Sequence, residues 1–189
     1  MSSVQLIETR RFTDSRGWFS ETFNETSFSR YGISDRFVQD NQSFSILPGT
    51  VRGLHFQTPP FGQAKLVRCI RGSIFDVAVD IRGGSPTYGQ WVGAELSATN
   101  GRQLFIPVGF AHAFMTLEAE TEVVYKVTAP YAPTHDAGLH WNDPAIGINW
   151  PLPSGSTPIL SSKDAALPVL GDFVSPFDYG GDPLEPLSI

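Results

Sequence analysis

The chemistry of this chain lies in a few ionisable side chains set among apolar strand residues. The stretch "VRGLHFQTPP", residues 51–60, places His55 between Leu54 and Phe56, with Arg52 and Gln57 close by and a Pro pair ending the run. His112 opens a second stretch, "HAFMTL", directly after the turn-like "PVGFA". Lys65, Asp76, Asp80, Tyr125 and Lys126 also fall in or beside apolar runs. A lone strand histidine is ordinarily a core residue satisfied by a neighbour. So many ionisable groups in one set of strands argue otherwise, because charge is rarely buried without a partner or a purpose. A histidine takes a proton near neutral pH. A carboxylate orients its ring, a lysine stabilises an enolate oxygen, and a tyrosine returns a proton from another direction. An epimerase working beside a ketone needs that set. Asp80, Arg68, Arg71 and Arg82 read instead as solvated outer-face or strand-end residues.

The elements that must position these groups are short strands. Gly and Pro punctuate the chain every eight to twelve residues or so, the rhythm of strands joined by turns. In "SIFDVAVDIR", Phe75, Val77, Val79 and Ile81 share one face and Ile74, Asp76, Ala78 and Asp80 the other. "AKLVRCIRG", "YGQWVGAEL", "RQLFIP" and "TEVVYKVT" read the same way. Helix is scarce. "NETSFSRYG" is one short candidate, with Asn24 as N-cap and Gly32 past the end. "SSKDAALPVL" is another, with Ser161 or Ser162 as cap and Pro168 as stop. The Pro- and Gly-rich tail from about Gly171 is expected to wrap the surface or lie partly loose. The fold class is therefore mainly β, a sandwich or jelly-roll barrel with short peripheral helices. Inward polar residues of such a barrel mark its ligand.

The chain has 189 residues and 41% hydrophobic content, enough for one domain with a core. The net charge of -6 argues against nucleic acid as the main partner, though not against a small phosphorylated ligand. No apolar run reaches membrane-span length, and the N-terminus lacks the apolar centre of a secretory signal. The single cysteine, Cys69, fits a reducing compartment. A cytoplasmic location without membrane association is expected.

Two spacings resemble those of a cupin, a small jelly-roll barrel that usually binds metal through His and Glu. "GTVRGLHFQ" is similar to the first cupin motif and "PVGFAH" to the second. Gln57 stands where the second metal-binding His would be, and Lys65 follows where an ammonium repels a divalent cation. A cupin-type barrel without metal or cofactor is expected.

Several longer motifs, in order, resemble the dTDP-4-dehydrorhamnose 3,5-epimerase family: "VQDNQSFS", "VRGLHFQ", "QAKLVRC", "FDVAVDIR", "SPTYGQWVG", "IPVGFAHAF", "VVYKVTAPYAP", "WNDPAIGINWP" and "LSSKDAALPVL". They span about Arg16 to Leu170. The resemblance implies conversion of dTDP-4-dehydro-6-deoxy-D-glucose to dTDP-4-dehydro-L-rhamnose. It implies His55 as base, Asp164 as its partner, Lys65 on the C4 enolate oxygen and Tyr125 as the opposing acid. Tyr131 would stack on thymine. Arg16 and Glu21 resemble nucleotide-binding positions that in the family can come from a partner subunit, so a homodimer is expected. Gln39, Asp40, Asn41, Arg52, His112 and Lys163 match further substrate-binding positions. Asp136 stands where many relatives have Glu, with a shorter reach. The implied layout is a single epimerase domain over 1–189. Within it, dimerisation strands occupy about 1–48, the barrel core 49–128 and a tail 171–189.

Other readings use the same residues. A relative could epimerise only C3 or only C5. A non-catalytic nucleotide-sugar-binding barrel would have no need of the base and acid, and a metal cupin such as a dioxygenase lacks its ligands here. Strict alternation puts His55 with Gly53 and Gln57 and turns Arg52 the other way. If Arg52 and His55 both reach the ligand, the strand must bulge, and Gly53 is the natural place.

Overall fold

The alternation of residues 73–82 sets the plan of the molecule, because both faces of that strand carry apolar residues and both must be covered. A computed structural model describes residues 3–153 and 155–188; residues 1, 2, 154 and 189, which include both ends of the expected domain, lie outside that description. The strands are β1 (Gln5–Glu8), β2 (Phe12–Asp14), β3 (Gly17–Phe19), β4 (Gln39–Ser45), β5 (Val51–Gln57), β6 (Lys65–Arg71), β7 (Ser73–Asp80), β8 (Trp91–Ser97), β9 (Arg102–Ile106), β10 (Phe110–Thr116), β11 (Thr121–Val127) and β12 (Asp136–Gly138). Two five-stranded antiparallel sheets, β1-β9-β6-β11-β4 and β12-β5-β10-β7-β8, form the walls of a cupin-like jelly roll. A separate hairpin joins β2 and β3. β1 and β4, inside the expected N-terminal segment, are strands of the barrel wall, as is β12 beyond residue 128.

Three apolar clusters account for the packing. Val67, Cys69, Ile74, Ala78, Leu104, Phe110, Phe114 and Val123 fill the space between the sheets. Leu54, Phe56, Val77, Val79, Ile81, Ala111 and Ala113 back the second sheet, as the β7 alternation requires. Phe28, Leu66 and Phe105 back the first, beneath the short helix α1 (Glu25–Ser29). Asn24 caps α1 by accepting from the Ser27 N–H, and Gly32 follows its end with φ +81°. Helix α2 (Ser162–Ala165) is capped by Ser161, whose hydroxyl accepts from the Asp164 N–H.

One expectation changes. Asp80 and Arg82 are not solvated strand-end residues: they are 0% and 3% exposed. Arg82 donates to Asp80 through Nε at 2.9 Å and Nη2 at 2.7 Å, and the Ser85 and Thr87 hydroxyls donate to the same carboxylate. This full set of donors makes the burial tolerable. The tail takes the first of its two expected forms, wrapped against the barrel. Phe177 is buried in the cluster behind the second sheet, and Leu184 and Leu187 pack against the inter-sheet core.

Candidate active site

β5 breaks its own alternation to bring two side chains to one face. His55 lies opposite His112 of β10 and Arg52 opposite Phe114, so two residues of β5 face one of β10. That is a β-bulge at Gly53 and Leu54. Gly53 has φ +118°, and a Cβ there would lie 2.4 Å from the His112 carbonyl oxygen, so only glycine fits. Arg52 and His55 consequently line one cavity of about 430 Å³, with Ser43, Lys65, His112, Tyr125 and Asp164. An adjacent cavity of about 350 Å³ shares His55, Lys65, Tyr125 and Lys163 and continues to Gln39, Asn41, Tyr131 and Asp136. Together they form one cleft.

His55 Nε2 lies 2.6 Å from Asp164 Oδ1, the carboxylate being delivered by α2. Burial raises the Asp164 pKa, but the hydrogen bond and charge of His55 outweigh it, and the net shift is downward. Asp164 therefore stays ionised and holds the imidazole. A second pair lies deeper: His112 Nε2 is 2.7 Å from Asp76 Oδ1. Burial pushes the Asp76 pKa up and the His112 pKa down, each opposed by the other's charge. Lys65, from the facing sheet, is buried and donates to the His55 carbonyl at 3.1 Å. Burial pulls its pKa down to about 8 against the pull of Asp76 and Asp136. Tyr125 also comes from the facing sheet, and burial raises its pKa, so its hydroxyl keeps its proton at neutral pH.

At the outer end of the cleft Tyr131 is 58% exposed, its ring open to a stacking partner. Its hydroxyl donates to Asp136 Oδ2 at 3.1 Å, and Lys163 Nζ lies 2.5 Å from the same oxygen. The short Asp136 side chain is thus engaged with two other site residues. Gln39 Nε2 donates to Asn41 at 2.8 Å, and Gln39 Oε1 accepts from the Tyr131 N–H.

Not every sequence-derived position reaches this cleft. Asp40 points to the outer face of its sheet and pairs with Lys126 at 2.8 Å. Arg16 lies just before β3, beside the turn of the β2–β3 hairpin, and pairs with Asp14, whereas Glu21 accepts from Asn24. Gln57 does line the second cavity, but its amide is tied to backbone, donating to Phe61 and Pro130 carbonyls and accepting from the Ala132 N–H. Among the described residues no three His, Cys, Asp or Glu side chains gather in a metal-holding cluster. Sequence reasoning assigned no site role to Asp76 or Ser43. Asp76 had left a signal, a carboxylate between Ile74 and Ala78 on a face it shares with Asp80. Ser43 had left none.

A jelly-roll barrel whose cleft faces a His–Asp pair with a Tyr and a Lys defines an isomerase of the sugar-epimerase kind. The family model described as dTDP-4-dehydrorhamnose 3,5-epimerase matches residues 1–172. An enzyme of that name from Sinorhizobium fredii is 58% identical over 179 residues, covering 95% of this chain and 91% of its own. The Bacillus anthracis enzyme, solved with TDP and PPi bound, is 49% identical with a TM-score of 0.85, over 88% of this chain and 94% of its own. The Legionella pneumophila enzyme, solved with dTDP-4-keto-L-rhamnose, is 47% identical with a TM-score of 0.86, over 90% and 89%. The chain belongs to the dTDP-4-dehydrorhamnose 3,5-epimerase family.

Proposed function

We propose that this protein epimerises dTDP-4-dehydro-6-deoxy-D-glucose at C3 and C5 to give dTDP-4-dehydro-L-rhamnose. The observation that carries the mechanism is the placement of His55 and Tyr125 on opposite sheets across one cleft, with Lys65 lining it. The C4 ketone acidifies the protons at C3 and C5. His55 takes one of them, and Asp164 steadies the imidazolium that forms. The electron pair moves onto the C4 oxygen, where the Lys65 ammonium stabilises it. Tyr125 delivers a proton to the opposite face of the carbon, and the enolate collapses to the inverted ketone. His55 and Tyr125 exchange protons with solvent before the second carbon reacts.

Tyr131 stacks on the thymine, and Arg52, Lys163, Gln39 and Asn41 hold the rest of the nucleotide sugar. Binding far from the chemistry fixes the sugar in place. Asp136 completes the stacking platform through Tyr131 and Lys163. A metal is not part of this reading: Gln57 is spent on backbone, and a cationic Lys65 disfavours a divalent ion.

The working unit is proposed to be a cytoplasmic homodimer. Phe12, Trp18 and Phe19 on the hairpin, and Phe44 and Ile70 on the barrel strands, are large exposed apolar residues that fit a second copy. Arg16 and Glu21 then serve the partner's cleft, which explains their distance from their own. No helix among the described residues is long and apolar enough to cross a membrane.

Proton NMR in D2O with dTDP-4-dehydro-6-deoxy-D-glucose tests the activity. Exchange at both carbons, absent in His55→Ala, is the expected result. Exchange at one carbon alone would move the chain to the single-site relatives. No exchange would refute catalysis on this substrate.

A further inference from the structure

The segment after Asp172 lies beyond the residues matched by the family model, yet it packs behind both strands that carry the cleft histidines. Phe56 sits between His55 and Gln57 on the back face of β5. The rings of Phe173 and Phe177 meet it edge-on, with centroids 5.3 Å and 5.9 Å away. Phe177 is 6% exposed, in one cluster with Leu54, Phe56, Ala111 and Ala113. The segment also reaches the start of β10. Arg82 lies 5.3 Å from the Tyr179 ring and 4.5 Å from the Phe110 ring. Its aliphatic stem occupies the space a Cβ on Gly109 would need. Phe110 is two residues from His112, on the same strand.

Backbone bonds hold the segment in place. The Gly83 N–H donates to the Phe177 carbonyl at 2.7 Å, and the Tyr179 N–H donates to the Gly83 carbonyl at 3.2 Å. The Ser175 hydroxyl donates to the Ile81 carbonyl. At the other end, α2 and its Asp164 precede the segment by a few residues. One stretch of chain thus braces β5 and β10 and follows the helix that orients His55, with residues 166–172 between them.

We propose that Phe173–Tyr179 is a positioning strap that holds His55 and His112 at their working separation; this rests on the epimerase reading for its kinetic consequence. Close-packed interiors transmit displacement rather than absorb it. A misplacement of about 1 Å at a reacting group costs roughly 10²-fold in rate. The strap acts through Phe56 and Arg82, and none of its own residues lines the cleft.

Phe177→Ala in the full chain, assayed well below its own melting temperature, tests the strap. The expected result is a fall in kcat of about tenfold or more, with affinity for dTDP unchanged by calorimetry. Phe177→Leu, which restores apolar volume, should recover most of the rate. The imidazole resonances of His55 and His112 should shift in Phe177→Ala and return in Phe177→Leu. A lower melting temperature with unchanged kcat and unshifted imidazoles would make the strap a stability element only and overturn the proposal. If Phe177→Ala does not fold, Ser175→Ala is read by the same measurements, with unchanged kcat and imidazoles again overturning it. The resonances exist whatever the substrate. An inactive wild type would therefore refute the epimerase reading, while the imidazoles still decide the strap.

Discussion

Lys65 and Tyr125 illustrate how burial sets chemistry one residue at a time. Burial holds the Lys65 pKa at about 8, and the proposed enolate contact needs the ammonium form. On the alkaline side, activity should fall as pH rises through about 8. Lys65→Arg stays charged at any working pH, so its alkaline limb should vanish even though its rate is lower. A pH–rate profile of both proteins checks this; an identical limb in both would assign it to another group. Stability moves the other way. The folded pKa lies below the ordinary lysine value of 10.5, so between the two the unfolded chain binds a proton the folded chain lacks. Stability then rises with pH across that window. Below pH 8 the buried charge costs roughly 3 kcal/mol. Tyr125 makes a separate prediction. Tyr125→Phe removes the proposed acid and leaves the base, so deuterium exchange from the His55 side should persist while inversion falls by about 10² or more. NMR in D2O reads both. An equal fall of exchange and inversion would remove Tyr125 from the acid role.

At the scale of elements, the bulge in β5 is what turns a strand into a site. Gly53→Ala would place a methyl against the His112 carbonyl and Ala113 at positive φ. We expect a loss of about 3 kcal/mol in urea unfolding and a collapse of turnover. A stable, active Gly53→Ala would mean the bulge is not needed to align Arg52 with His55. The bulge was legible only by way of the resemblance: once that assigns both Arg52 and His55 to the ligand, two residues three apart on a regular strand cannot share a face. For α2 the sequence left Ser161 or Ser162 as the cap, and the β7 alternation and the Asn24 cap were legible from local chain geometry. Asp80 and Arg82 were not. Their burial depends on the tail folding back over residues 81–83, a long-range event with no local pattern. Asp40 carries a different lesson. Gln39, Asp40 and Asn41 are consecutive on a strand, so alternation alone turns the middle one away from the cleft of its own chain, whatever the resemblance implies for the three together. The Asp76–His112 pair also needed the fold, since strand register joins residues 36 positions apart.

For the molecule as a whole, the barrel encloses the chemistry but leaves part of the proposed nucleotide site elsewhere. The β2–β3 hairpin leaves Phe12, Trp18 and Phe19 exposed, and the Arg11 guanidinium lies 4.2 Å from the Trp18 ring. Exposed aromatics of this size are stable in water only at a price in hydration, and a second copy relieves it. If the hairpin reaches across to the partner's cleft, dimerisation and nucleotide binding are one property. Trp18→Glu buries a charge at that interface and should yield a monomer by sedimentation. The same variant should bind dTDP about tenfold or more weakly, because Arg16 no longer reaches a phosphate through charge-assisted hydrogen bonds. Arg16→Ala separates the two effects: it should remain dimeric and show the same loss of affinity. A Trp18→Glu monomer that binds dTDP as tightly as the wild type would show that each chain holds its nucleotide alone. Arg16 and Glu21 would then have no place in the site.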